Sequence, residues 1–444
     1  MKTLLERAKG STLDIISDYT DPAGTIALLP PRTAQIGTLN FSSGSWTKIQ
    51  QFSEINSGPL PLLRVLRIFA VGEFNLDGPD VMTPPTLPLF ANAVNLREFS
   101  LHSEGSSFIN HFVFPNLTRF DLVAAPAEAR FRASLLDFLK ASPTLRMVHM
   151  RIVGGMPLEV LPQRKVVLLP NVEVFTMTMD DGGPGYEIAA HISCPSAIHI
   201  SLEHKRSADN ITTQEIFPNP ISWNAIARQY TRGPVEEVTL EISTAYDTLI
   251  SCYLAFESPD ATVLRLGFKI AESDEDDFGT PFGELHYEVF SQASRTIREH
   301  PLLANIKTVY IDHRLFGFGL DETTRIAEEA GRLFKSMDPL DKLSICNSDL
   351  YLYLGPFVDD SEPHNTQWPV VLPPIKKLTI SHPLQLRDTE KCIVKLAKSR
   401  HALGTPFEHV TVYMQNLPTT LAERLEPWVG GTDCHEEMRP DFDP

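Results

Sequence analysis

A chain of 444 residues exceeds the roughly 250–300 at which one hydrophobic core stops growing, so it holds several domains or an elongated stack of repeats. With 42% hydrophobic and 21% charged residues, it has the make-up of an ordinary folded protein. Its net charge of −17, from 56 acidic against 39 basic residues, argues against nucleic acid or an anionic membrane surface as a main partner, because both select a basic face.

The five cysteines, Cys194, Cys252, Cys346, Cys392 and Cys434, are odd in number and widely scattered. That pattern fits a reducing compartment better than a disulfide framework. The first residues lack the apolar core of a signal peptide, and no stretch approaches the roughly 18 apolar residues of a membrane span. Cytoplasm or nucleus is therefore the expected location. The N-x-S/T sequons at Asn40, Asn116 and Asn210 are then chance matches.

Residues 1–35 read as a lead-in, with a helix end at Leu4–Gly10, a short strand at Leu13–Ile16 and a turn at Asp21–Gly24. From Ile36 one phrase recurs: an apolar residue, two free positions, an apolar residue, one free position, an apolar residue. Its copies are Ile36/Leu39/Phe41, Leu63/Leu66/Ile68, Leu96/Phe99/Leu101, Leu117/Phe120/Leu122, Leu145/Val148/Met150 and Val172/Phe175/Met177. It continues as Val235/Val238/Leu240, Ile306/Val309/Ile311, Leu340/Leu343/Ile345, Ile375/Leu378/Ile380 and Phe407/Val410/Val412. Ile198/Ile200 and Leu264/Leu266/Phe268 keep only the alternating half. A phrase returning every roughly 20 to 45 residues marks stacked repeats, since one unit cannot bury its apolar face alone.

Between the strand phrases the spacing turns helical. Ser45 precedes Trp46, Ile49 and Phe52, and Ser222 precedes Trp223, Ile226, Ala227 and Tyr230, each serine placed as an N-cap. Further apolar stripes run through Leu135–Leu139, Val289–Ile297, Ile326–Met337 and Cys392–Ala397. Three of them close at Ser142-Pro143, His300-Pro301 and Asp338-Pro339, where proline cannot continue the turn. Strand, loop, helix, loop, strand is a crossover unit, and stacking it predicts a parallel sheet with helices outside. Residues 271–284 and 355–369 read as insertions, and 430–444 as a disordered acidic tail behind a solenoid spanning 36–429.

The phrase L-x-x-L-x-L resembles that of leucine-rich repeats. The fold class implied is α/β: an irregular leucine-rich-repeat solenoid with parallel strands on the concave face and helices and loops on the convex face. No full copy carries Asn or Cys eight residues after its first apolar slot, so the side-chain ladder of regular repeats is missing there. Leu5-Glu6-Arg7-Ala8-Lys9-Gly10-Ser11-Thr12-Leu13-Asp14-Ile15 resembles the "LERS-x-x-x-PLDI" segment of the large fungal, basidiomycete-type F-box protein family, where it follows the F-box and leads into irregular repeats. No F-box phrase occurs in these residues. The resemblance implies the substrate-recognition part of an SCF-type ubiquitin ligase receptor, which holds a target protein. A Skp-type adaptor and cullin are partners only if an F-box is present in the full-length product.

If the apolar slots face the core, the intervening positions face the concave side. That places Arg67, Phe69, Glu98, His102, Arg119, Asp121, Met147, His149 and Arg151 on the recognition surface, followed by Glu237, Glu241, Tyr310, Asp312, Lys377, His409 and Tyr413. Arg, Tyr, Phe and His suit protein recognition. His191-x-x-Cys194 with His199 and His204 has the spacing of no common zinc module. Gly182–Gly185 and Gly317–Gly319 lack the pattern of a phosphate cradle, and Asp274–Asp277 lacks the ligand spacing of a calcium loop. With no catalytic motif, no cofactor and no metal in view, the expectation is a non-enzymatic binding protein. A leucine-rich-repeat scaffold unrelated to ubiquitination is the alternative. A hydrolase or transferase would need a pocket of converging titratable groups.

Overall fold

The computed structural model describes residues 12–17, 34–43, 53–54, 60–70, 93–104, 109, 112–125, 131–153, 166–180, 185–207, 217–218, 220–230, 235–244, 250–257, 263–271, 282–300, 305–313, 320–337, 340–346, 374–382, 389–414 and 417–436. It is an α/β protein with a long, mostly parallel sheet of sequential strands, consistent with a leucine-rich-repeat-like solenoid. The chain divides into two compact units, Met1–His204 and Lys205–Pro444. The helix expected after Ser45, the Asp274–Asp277 loop, the 355–369 insertion and Gly317–Gly319 lie outside the described residues.

The first unit contains β1 (Leu13–Ser17), β2 (Ile36–Ser43), β3 (Val65–Ala70), β4 (Glu98–Glu104), β5 (Arg119–Ala125), α1 (Phe131–Lys140), β6 (Met147–Ile152), β7 (Val167–Leu168), β8 (Val174–Asp180), α2 (Gly185–Ala189), β9 (Ile192–Ser193) and most of β10 (His199–Ser207), which continues past the unit's last residue, His204. Its strands follow the order β1-β2-β3-β4-β5-β6-β8-β10, with β7 and β9 paired apart. The strands align phrase on phrase. Leu39, Leu66, Phe99, Phe120, Val148 and Phe175 form one inward row, and Phe41, Ile68, Leu101, Leu122, Met150 and Met177 the next. All twelve are buried. Phe99 lies 5.0 Å from Phe112, 5.1 Å from Phe114 and 5.9 Å from Phe120 between ring centroids, and Phe138 of α1 closes on Phe120 at 4.6 Å. The side chain of Arg132, inside α1, is buried and bonded to Glu187 of α2 at 3.0 Å.

Each repeat enters its strand through the same turn. The N–H groups of Leu63, Leu96, Leu117, Leu145, Val172 and Ala197 donate to the carbonyls three residues earlier. The second turn position is Pro61, Val94, Pro115, Pro143, Pro170 or Pro195, where the fixed φ of proline suits the turn. The third position reaches back one repeat. Asn95 donates to the Pro61 carbonyl, Asn116 to Val94, Thr144 to Pro115, Asn171 to Pro143 and Ser196 to Pro170, at 2.5–3.0 Å. A side-chain ladder therefore exists, one residue before the first apolar slot instead of eight after it. A backbone ladder runs beside it: the carbonyls of Arg64, Arg97, Thr118, Arg146 and Glu173 each accept two consecutive N–H groups of the next repeat.

The second unit contains α3 (Pro220–Tyr230), β11 (Glu237–Thr244), β12 (Ile250–Glu257), β13 (Val263–Ala271), α4 (Phe282–Arg298), β14 (Thr308–His313), α5 (Leu320–Ser336), β15 (Lys342–Cys346), β16 (Lys377–His382), α6 (Thr389–Ala402), β17 (His409–Met414), α7 (Leu421–Leu425) and β18 (Thr432–His435). Its strand order is β13-β12-β11-β14-β15-β16-β17-β18. The carbonyls of Glu236, Lys307, Asp341 and Lys376 repeat the two-donor rung. Trp223 of α3 packs against Phe256 at 5.1 Å and His300 at 5.3 Å. Phe290 of α4 stacks on His313 of β14 at 5.8 Å. Between α4 and α5, the buried Glu329 carboxylate accepts from Ser294 at 3.0 Å and Arg332 at 2.9 Å, and is also held by Arg298.

Four expectations are corrected. β12 is antiparallel to both β11 and β13, so the sheet is not wholly parallel. The connections 245–249 and 258–262 are too short for a crossover, which needs about a dozen residues, and a hairpin is what remains. Thr432–His435, expected within a disordered tail, pairs in parallel with β17. The copy read as Ile198/Ile200 is offset: Ala197, Ile200 and Leu202 are buried while Ile198 is 57% exposed, and this restores the full phrase with alanine in the first slot. Ser222 lies inside α3, which begins at Pro220, a residue suited to a first helical position.

Candidate functional site

The outward face of the first unit follows from strand alternation. Three side-chain rows cross it. They run Thr38, Val65, Glu98, Arg119, Met147, Val174; then Asn40, Arg67, Ser100, Asp121, His149, Thr176; then Ser42, Phe69, His102, Val123, Arg151, Thr178. Every first-unit residue expected on the recognition surface falls in one of these rows. The register brings them together over four neighbouring strands, β3 to β6.

Their contacts run mostly across strands. The Arg119 guanidinium grips Asp121 on its own strand, Nε to Oδ2 at 2.9 Å, and this bond holds its pKa above the ordinary arginine value. Arg151 reaches Asp180 on β8 with two bonds to Oδ2, at 2.7 and 3.0 Å. Arg67 and Glu98 stand 3.9 Å apart, and Phe69 meets His102 edge-on at 4.1 Å. The guanidinium-bearing side chains of Arg67 and Arg151 are about half exposed, at 51% and 52%. An ion pair as exposed as Arg67–Glu98 contributes only about 0–1 kcal/mol, whereas Asp180, at 13% exposure, makes the Arg151 pair partly buried. Both pairs set the direction of the side chains while leaving them open to a partner. Asp180 was missed in the sequence because it sits one pair beyond the repeated phrase.

In the second unit the expected residues divide. Glu237 and Glu241 are half-buried on the outward face, Lys377 is exposed, and Tyr310 is half-buried. His409 Nε2 lies 2.9 Å from Asp433 Oδ2, and Tyr413 stacks on His435 at 4.8 Å. Both partners belong to β18, within the stretch expected as a disordered tail. Asp312 is corrected: it is 3% exposed, beside buried Cys346 and Ser381 in the same row. Alternation assigns a side chain to a face, but burial depends on what covers that face.

His191, Cys194, His199 and His204 do not converge. His204 lies on the inward side of β10 with Ile200 and Leu202, whereas His199 lies on the other. Burial pushes the Cys194 thiol up to about 12, away from the thiolate a metal would need. Among the described residues, no three His, Cys, Asp or Glu side chains gather in a way that could hold a metal ion. Nor is any described helix long and apolar enough to cross a membrane. Three histidines with lowered pKa values, His286, His300 and His313, are buried among apolar and aromatic side chains of the second unit. Neither a family model nor a curated protein matches this sequence.

Proposed function

We propose that the chain is a protein-binding module whose first-unit outward face receives a target protein. The observation that carries this reading is the alignment of Arg67, Phe69, His102, Arg119, His149 and Arg151 over four adjacent strands. Arginine is enriched in binding hot spots and phenylalanine at interfaces, and a rigid strand ladder spares the ordering cost of a loop. By the resemblance of the opening segment, the target would be presented for ubiquitination, with the adaptor and cullin chemistry residing in other subunits.

The test has two arms. Affinity purification of the full gene product, read by mass spectrometry, should return a Skp-type adaptor and a cullin together with a target. A target recovered without adaptor or cullin supports a scaffold instead. With the target in hand, Arg119→Ala, His149→Ala and Arg151→Ala combined should weaken binding by at least tenfold. Unchanged affinity would remove the face from consideration.

A further inference from the structure

Where β11, β14, β15, β16 and β17 start and the antiparallel β12 ends, one outward row reads Glu257, Glu237, Thr308, Lys342, Lys377, His409. It contains two like-charge pairs of opposite sign. Glu237 and Glu257 face each other across β11 and β12, and Lys342 and Lys377 across β15 and β16. Like charges directly opposite destabilise a sheet. The neighbouring position is arranged in the opposite way, for Lys307 bonds Glu236 at 3.1 Å and Lys376 bonds Asp341 at 2.6 Å. Among the described residues, none of the four like-charged side chains has an ion-pair partner. Burial, and then the Glu237 charge, raise the pKa of Glu257. Glu237, Thr308, Lys342 and Lys377 line one groove of about 450 Å³ together with the two ion pairs and Glu408, and Glu257 does not line it.

We propose that this row is a docking site for an extended peptide segment bearing one basic and one acidic residue four positions apart. The basic side chain neutralises Glu237 and Glu257, and the acidic one bridges Lys342 and Lys377. The centres of the two pairs are three strand spacings apart, about 14 Å. An extended peptide advances about 3.3 Å per residue, so four residues span the gap. An even separation also puts both side chains on the same side of the peptide. The inference rests on the reading of the chain as a binding protein but uses none of the first-unit residues, so the two can fail separately.

The probes are fluorescein-labelled Thr/Val-rich peptides carrying Arg and Glu four apart in either order, a control with the two charges adjacent, and a control with Gln at both positions. Anisotropy at low salt should show binding of a four-apart peptide at least tenfold tighter than either control, weakening as salt rises. Lys377→Glu should abolish that binding while raising Tm, because it replaces a repulsive pair with an attractive one. Glu237→Lys should do the same from the other end. Equal binding of the Gln control, or binding that survives both substitutions, would overturn the proposal, as would a fall in Tm for both variants.

Discussion

Phe120 shows what one side chain carries in this fold. It is fully buried, in ring contact with Phe99 and Phe138, and sits in the inward row shared by six strands. Phe120→Ala should destabilise the first unit by about 3–5 kcal/mol, measured by urea unfolding. One residue before the first slot of the same phrase, Asn116 contributes through hydrogen bonding. Its amide spans to the Val94 carbonyl, so Asn116→Ala should cost about 1 kcal/mol in the same assay. The sequence displayed the first role plainly, because a large apolar residue at a repeated spacing has few other uses. It concealed the second, since Asn95, Asn116, Thr144, Asn171 and Ser196 share a geometry but not an identity.

At the scale of elements, helix spacing located the stripes of α1, α4, α5 and α6, while the polar contacts between helices left no trace in the pattern. Glu329 is an example. It reads as one acidic residue in a charged helix, yet it is 2% exposed and held by groups from α4 and α5. Replacing Arg298 and Arg332 together with Met leaves that carboxylate buried with Ser294 alone. A loss on the order of 3–5 kcal/mol follows, again read from urea unfolding. The hairpin of β11 and β12 was equally hidden. Its strands alternate as any strand does, and only the short connection distinguishes antiparallel from parallel. The outward rows were legible as a face from alternation alone, whereas exposure was not, as Asp312 demonstrates.

For the molecule as a whole, the buried imidazoles give the second unit a specific acid sensitivity. Burial lowers His286 and His300 to about 4, and lowers His313, which also faces His286. An unfolded histidine titrates near 6.5, so between about pH 6.5 and 4 the unfolded chain takes up protons that the folded chain refuses. Stability is therefore complete above pH 6.5 and falls as the pH drops toward 4. His286 and His300 each account for a change on the order of 3 kcal/mol at the acid limit. Trp223, in ring contact with His300, provides the readout. Its fluorescence should report unfolding within that pH range, and His300→Phe should move the midpoint to lower pH.

The stacked turns of the first unit make chain length a variable that the sheet does not dictate. Removing the 21 residues 96–116 would splice Asn95 onto Leu117 and leave a complete turn, Ala93-Val94-Asn95-Leu117. The N–H of Thr118 would then meet the Arg64 carbonyl, as that of Arg97 does now, and Thr144 would find the Val94 carbonyl where it now finds Pro115. Every bond of both ladders is remade by a neighbour of the same kind. An array with interchangeable joints can gain or lose a step and still close its hydrogen bonds, so the extent of the surface it presents can change without a new fold.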